Sequence, residues 1–383
     1  MPSSFDVCIR GDGVVGRTLA LLLAQARLRV ALVGREPGAA APEHTDVRAY
    51  ALNTASRQTL AALRAWPDAQ HATPVRQMQV CGDDGGRVEF KFPAPPAAAS
   101  DSQAGALAWI VDVAPLHRLL VEAARYQPQI ETVTEPVAAA LTVICEGRRG
   151  HKHIHGHSHS HEELDVQWTI SPYPQDAIAA RLESALPHGG VARQWFSGGD
   201  VLALLPMGGD TGHALALVWS LASERARQRL TLDDAAFCAE LRTVCGAQTG
   251  ALKLTSPRAS WPLALCQAER WCGPGWALAG DAAHTVHPLA GQGLNLGLAD
   301  AACLAKVMSE REYWRGIGDE RLLRRYERAR KADTAAIAFV TDGLQGLFAQ
   351  PGAGWQALRN RGMNTFTRSG PIKTWLTRRA AGL

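Results

Sequence analysis

One short segment near the start of the chain narrows its fold more than any other. A mostly apolar run, Asp6 to Ile9, leads into Gly11-Asp12-Gly13-Val14-Val15-Gly16. Thr18 to Ala26 follows with apolar residues at helical spacing, and then the apolar run Val30-Ala31-Leu32-Val33. Strand, glycine turn, helix and strand in that order predict a βαβ unit. The G-x-G-x-x-G pattern lies where a dinucleotide-binding turn belongs, between strand and helix. Glycine lets the backbone approach a pyrophosphate, while the helix N-terminus supplies N–H donors and the positive end of its dipole.

At 383 residues the chain can form about two domains with a cleft between them. Its 46% hydrophobic and 20% charged residues are ordinary for a soluble protein and exclude global disorder or coiled coil. A net charge of +4 gives no reason to expect nucleic acid as a partner. The N-terminus has neither a basic n-region nor a long apolar h-region, so no signal peptide is expected and a cytoplasmic location is. The first apolar stretch, Val14 to Val33, is interrupted by Arg17, Gln25, Arg27 and Arg29, and no other run approaches the ~20 clean apolar residues of a membrane span. The eight cysteines form no C-x-x-C pair, which reads as reduced thiols and not as a disulfide frame or zinc site.

Further along, residues 75–110 and 165–265 contain alternating stretches such as Arg87–Phe92 and Ala214–Trp219, broken by turns, and read as antiparallel strands of a second lobe. Asp112 to Tyr126 predicts an amphipathic helix. Residues 294–349 read as mainly helical, with a charged, solvated face from Glu320 to Lys331. Trp195, Trp219 and Trp261 are expected to pack in the core of the second lobe. Six of the 13 histidines fall between His151 and His161. Imidazoles there could hold Ni, Zn or Cu, but a run without a fixed geometry is more simply a surface insertion, and no metal ligand is assigned.

The most specific block runs from Trp276 to Asp300. It holds Gly280-Asp281-Ala282-Ala283-His284 and then His287-Pro288-Leu289-Ala290-Gly291-Gln292-Gly293-Leu294-Asn295-Leu296-Gly297. Physically this is an apolar strand ending in Gly-Asp, a Pro/Gly turn and a helix. The carboxylate can accept hydrogen bonds from sugar or ribityl hydroxyls, and the helix start faces an anion. The block resembles the second flavin motif of the class A flavin-dependent aromatic hydroxylases, the group of p-hydroxybenzoate hydroxylase, and is most similar to the ubiquinone-biosynthesis hydroxylases within it. Asp46-Val47-Arg48-Ala49-Tyr50-Ala51-Leu52, Tyr173-Pro174-Gln175, Leu204–Met207, Leu358–Met363 and Ala380–Gly382 resemble other segments of the same family, in the same order.

The resemblance implies an α/β fold: a Rossmann-like FAD-binding domain with an inserted antiparallel-sheet substrate domain and a helical C-terminal region. The expected boundaries are 1–74, 111–164 and 266–340 for the first domain, 75–110 and 165–265 for the second, and 341–383 for a basic amphipathic tail. It further implies FAD as cofactor, NAD(P)H as reductant and O2 as oxidant, with hydroxyl transfer to the ring of a polyprenylated phenol or quinol. The implied cofactor residues are Gly11, Gly13 and Gly16 at the pyrophosphate, Arg48, Asp281 at the ribityl and pyrophosphate part, and Pro288, Gly291 and Gly293 beside the isoalloxazine. Leu294 and Asn295 open the helix whose amides stabilise the anionic ring. No catalytic base is assigned, and His284 and His287 are read as shaping the strand-end turn.

Three positions depart from the family pattern. The ribose-binding acid expected at the end of the second strand is Gly34, with Glu36 as a substitute two residues on. Asp12 puts a negative charge inside the phosphate loop, to be neutralised by Arg10 or Arg17. The middle motif, Asp-Gly in the family, is Glu146-Gly147. These changes motivate one alternative to the hydroxylase, a catalytically impaired accessory subunit of a quinone-synthesis complex; a hydroxylase of a soluble aromatic is a second. The charge is also uneven. From Lys306 onward there are 15 Lys/Arg against seven Asp/Glu, and after Asp342 six basic residues lie among Trp355, Leu358, Phe366, Trp375 and Leu376 with no acid. That pattern predicts peripheral contact with an anionic inner-membrane surface.

Overall fold

The computed structural model describes residues 5–34, 46–82, 86–91, 105–147, 166–208, 212–286 and 291–349, with the backbone alone from 336 onward. Glu36, Pro288, His287, the histidine run 151–161 and the tail beyond 349 lie outside the described residues.

The expected βαβ unit is present. Strand Phe5–Arg10 leads through the glycine turn into helix Val14–Gln25, and strand Val30–Val33 returns parallel to the first. Leu19, Leu23, Val7, Ile9 and Leu32 are buried, so the apolar stripe of the helix lies on the sheet. Six strands form this sheet, in the order Cys272–Gly273, Trp276–Leu278, Ala139–Ile144, Phe5–Arg10, Val30–Val33, Ile130–Val133. All neighbours are parallel except the first pair, a short hairpin. Helices Gly293–Ser309 and Glu320–Ala349 complete the layer through Leu304, Met308, Leu322 and Tyr326.

The second lobe is built on a nine-stranded sheet whose spine is the long strand Trp168–Ser184, paired with Ala214–Ala222 and Ala259–Ala268. Its register shifts between Pro172 and Asp176, where Pro172 and Pro174 contribute no N–H to the ladder. The sheet is antiparallel apart from one pair, Val191–Ser197 with Gln77–Cys81. Trp219, Phe237, Leu217 and Leu241 form its core. Trp195 and Trp219 are buried, and Trp261 is half-buried.

A third, three-stranded sheet of Ala49–Leu52, Ala108–Asp112 and Ala72–Val75 lies beside helix Val113–Arg125, with Trp109, Val111, Leu116 and Leu120 buried. Strand Ala108–Asp112 contains the boundary expected between 110 and 111, and strand Ala259–Ala268 runs through the one expected between 265 and 266. Both expected boundaries thus fall inside a strand. His284–Thr285 leaves the flavin motif to pair with the edge of the nine-stranded sheet.

The charged face expected over Glu320–Lys331 is only partly solvated. Glu327 and Arg330 are buried, because this side of the helix packs on Trp271 and on the helix Gly293–Ser309. No helix among the described residues is long and apolar enough to cross a membrane.

Candidate active site

Sheet register brings the marked residues to one edge. Arg10 is level with Val33 and Ile144, and Ile144 with Leu278. The segments that follow these strands, Gly11–Gly16, Gly34, Cys145–Gly147 and Ala279–Ala282, therefore open side by side at the carboxyl end of the sheet. Between Phe5–Arg10 and Ala139–Ile144 the strand order reverses direction, and such a switch point is where open α/β sheets take their ligands.

Within the glycine loop the three glycines have different surroundings. Gly11 has φ +112°, and a Cβ there would stand 2.5 Å from the Cys145 carbonyl oxygen. A Cβ on Gly16 would collide with the Gly11 carbonyl oxygen. These two residues seat the helix on the sheet. A Cβ on Gly13 meets nothing within 4 Å. Gly13 is also the N-cap of helix Val14–Gln25 and supplies no side-chain cap to its first-turn N–H groups.

The second flavin block repeats this arrangement. Helix Gly293–Ser309 starts after Gln292 without a side-chain cap, and a Cβ on Gly293 meets nothing within 4 Å. Gly291 turns the chain into the helix with φ +58°, against Ala51. Val15 holds the two helix starts together: its Cγ2 lies 2.7 Å from where a Cβ on Gly297 would be and 3.4 Å from one on Gly280. Two positive helix ends, each beside an open glycine, fit the diphosphate and the anionic ring of a bound FAD.

Asn295 is fixed by the protein. Its Oδ1 accepts hydrogen bonds from the Asn53 N–H at 2.9 Å and the Ser56 hydroxyl at 2.7 Å, and its Nδ2 donates to the Ala51 carbonyl at 2.8 Å. The side chain thus ties the Arg48-bearing segment to the helix start. Leu294 packs its side chain on the cluster around Trp109. Arg48 forms a two-pronged pair with Asp46, at 2.8 Å from Nε and 2.6 Å from Nη2. Hydrogen bonding to Asp46 holds the Arg48 guanidinium above its ordinary value, and the charge of Asp281 acts in the same direction. Arg48 and Asp281 thereby share one electrostatic neighbourhood.

Each departure from the family pattern has a local partner. Arg17 Nη2 reaches Asp12 Oδ2 at 3.1 Å, and its Nε donates to the Asp12 carbonyl at 2.7 Å. Burial lowers the Arg17 guanidinium below its usual value, and Asp12 offsets part of that. Arg10 goes instead to Glu146, with Nε 2.9 Å and Nη2 2.8 Å from Oε1. Glu146 is longer than the aspartate of the family motif, and its carboxylate spans to the neighbouring strand end.

Behind the second motif lies a charged network that motif reading did not reveal. Asp300, with no exposed surface, accepts hydrogen bonds from the Gly280 N–H (2.9 Å), His284 Nε2 (2.7 Å) and Arg330 Nε (2.7 Å). Trp271 stacks on the His284 ring with centroids 4.7 Å apart. His284 is thus a positioning residue for the turn carrying Asp281. Asp300 is the one acid of a mainly apolar helix, but Arg330 carried no sequence signal that set it apart from its charged neighbours. At the junction of the lobes, Arg181 Nη2 donates to the Arg48 carbonyl (2.9 Å) and Asp112 (3.0 Å), and Arg181 Nη1 also contacts Met207.

A parallel α/β sheet with this glycine loop, a Gly-Asp strand end and a second open helix start defines a dinucleotide-binding flavoprotein. The chain belongs to the family of the FAD binding domain, whose profile matches residues 121–339, and it is an FAD-dependent monooxygenase. Ubiquinone hydroxylase UbiL of Rhodospirillum rubrum is 29% identical, with 98% of this chain and 89% of that protein aligned. The 3-demethoxyubiquinol 3-hydroxylase of Escherichia coli is 27% identical, over 99% of this chain and 98% of its own. Among solved structures, Pseudomonas aeruginosa PqsL in complex with 2-aminobenzoylacetate superposes with TM-score 0.71 at 20% identity, covering 94% of this chain and 99% of that one, which is a likeness of fold.

Proposed function

We propose that this chain hydroxylates the aromatic ring of a polyprenylated phenol or quinol in ubiquinone biosynthesis, using NAD(P)H and O2. The observation carrying this reading is that relatives named as ubiquinone hydroxylases align with it along nearly their whole length. Bound FAD supplies the redox and oxygen chemistry. The protein's part is to hold it: Gly11, Gly13 and Gly16 at the diphosphate, Asp281 and Arg48 beside the ribityl chain, and Gly291, Gly293 and the main chain of Leu294 and Asn295 at the ring. Pro288 belongs to the same proposed set. The Asp12–Arg17 and Arg10–Glu146 pairs favour a competent site over an impaired accessory subunit, because neither acid presents an unpaired charge to a diphosphate.

A prenylated substrate resides in the bilayer, so the basic, aromatic-rich segment 355–383 is proposed as a peripheral dock on the membrane face, where association with other quinone-synthesis proteins would also occur. Freshly purified protein is expected to show a flavin absorption spectrum and to oxidise NAD(P)H faster when a prenylated phenol is added. Colourless protein with no substrate-stimulated oxidation would sink the reading. A deletion strain should accumulate a ring intermediate lacking one hydroxyl, whose structure identifies the carbon attacked.

A further inference from the structure

Position 34 offers no carboxylate to the ribose of a dinucleotide, and we propose that Asp12 supplies it from inside the glycine loop, accepting a hydroxyl of the adenosine ribose of FAD. The inference rests on the FAD reading above and assigns to this chain a ribose contact placed differently from the usual strand-end acid. Gly34 ends the second strand, with its N–H bonded to the Val133 carbonyl at 3.0 Å. A Cβ on Gly34 would stand 2.7 Å from Asp12 Cβ, 2.8 Å from Oδ2 and 2.9 Å from Cγ. The carboxylate of Asp12 therefore lies over the Gly34 Cα, in the space that a side chain at the strand end would need. The two unusual residues are complementary: the acid has crossed from the strand to the loop, and the glycine makes room for it.

Arg17 fixes the orientation. It is 7% exposed, bonds Asp12 Oδ2 and also the Asp12 carbonyl, and so holds both the side chain and the main chain of that residue. Asp12 Oδ1 has no hydrogen-bond partner among the described residues, and the side chain keeps 35% of its surface exposed. A carboxylate with one oxygen clamped by a cation and the other open, at the carboxyl edge of a dinucleotide-binding sheet, suits a sugar hydroxyl donor. If Asp12 instead served only as a counter-ion for Arg17, its removal would free that cation for the diphosphate and tighten FAD binding. The two roles predict opposite signs for its removal.

The test uses full-length apoprotein and competition against FAD, read by recovery of flavin fluorescence, with ADP, 2′-deoxy-ADP and 3′-deoxy-ADP as probes. The unsubstituted protein should prefer ADP over at least one deoxy analogue by about tenfold, the size of one charge-assisted hydrogen bond. Asp12→Asn should bind that analogue and ADP alike and hold FAD about tenfold more weakly. Gly34→Ala should act in the same way, because its methyl displaces the Asp12 carboxylate while leaving the charge in place. Equal binding of all three probes by the unsubstituted protein, a preference that survives in either variant, or tighter FAD binding by Asp12→Asn would overturn the proposal. Failure of the unsubstituted protein to bind FAD at all would instead remove the functional reading beneath it.

Discussion

Replacing Asp300 with Asn should destabilise the protein through the arginine it leaves behind. The carboxylate accepts three hydrogen bonds on two oxygens, Gly280 and His284 on Oδ2 and Arg330 on Oδ1. An amide of the same shape has one acceptor oxygen and an NH2 that must face a donor. With its oxygen kept toward Gly280 and His284, the NH2 points at Arg330, whose side chain is 6% exposed and which retains Asp333 at 2.8 Å. Removing one partner of a buried pair costs about 3–5 kcal/mol, and the surviving Asp333 puts this case near the lower end, about 3 kcal/mol. An unfolding entropy of about 2.1 cal/mol/K per residue over 383 residues is about 0.8 kcal/mol/K. The melting temperature of the apoprotein in scanning calorimetry should fall by about 4 °C. Asp300→Asn combined with Arg330→Met should recover part of that loss, since the stranded charge is gone. Burial pushes the Asp300 carboxyl up, but His284 and Arg330 outweigh it and hold it below the ordinary carboxylate range. A folded value below the unfolded one, about 3.9, means that the stabilisation is complete above that pH and is lost as pH falls through the folded value. Asp300→Asn should accordingly flatten the acid limb of stability against pH. A melting point within about 1 °C of the parent, or a double variant as unstable as the two single losses together, would refute the argument.

Two further substitutions probe the cofactor edge. Gly13→Ala adds a methyl that meets no protein atom within 4 Å, so the apoprotein should melt unchanged while FAD binding weakens by at least about tenfold, as measured by fluorescence titration; a shifted apoprotein melting point with unchanged affinity would contradict the open site. Arg10→Met removes the cation that meets Glu146 and should weaken FAD binding more than Arg10→Met with Glu146→Gln does, a coupling of about 0.5–3 kcal/mol between dissociation constants. Additive losses would show that the pair does not neutralise the site.

The βαβ opening and the flavin block at 276–300 were legible because their signals are local. An apolar run, a glycine spacing and a helical period each arise from a few consecutive residues. The departures at Asp12, Gly34 and Glu146 were equally visible as residues, yet their consequences were not. Arg10 and Glu146 are 136 positions apart and become neighbours because the sheet places their two strands side by side. Asp12 and Gly34 read as two separate defects until strand register sets one above the other. The charged stretch from Glu320 looked solvated because a charge pattern along one helix does not say which face another helix will cover, and packing buries Arg330 against Asp300. The sequence alone determined the class of fold, the cofactor it takes and the residue types at the carboxyl edge of the parallel sheet. Which charge meets which was decided only by tertiary structure, because electrostatic partnership depends on distance and burial, and both are set by the order of strands and the packing of helices.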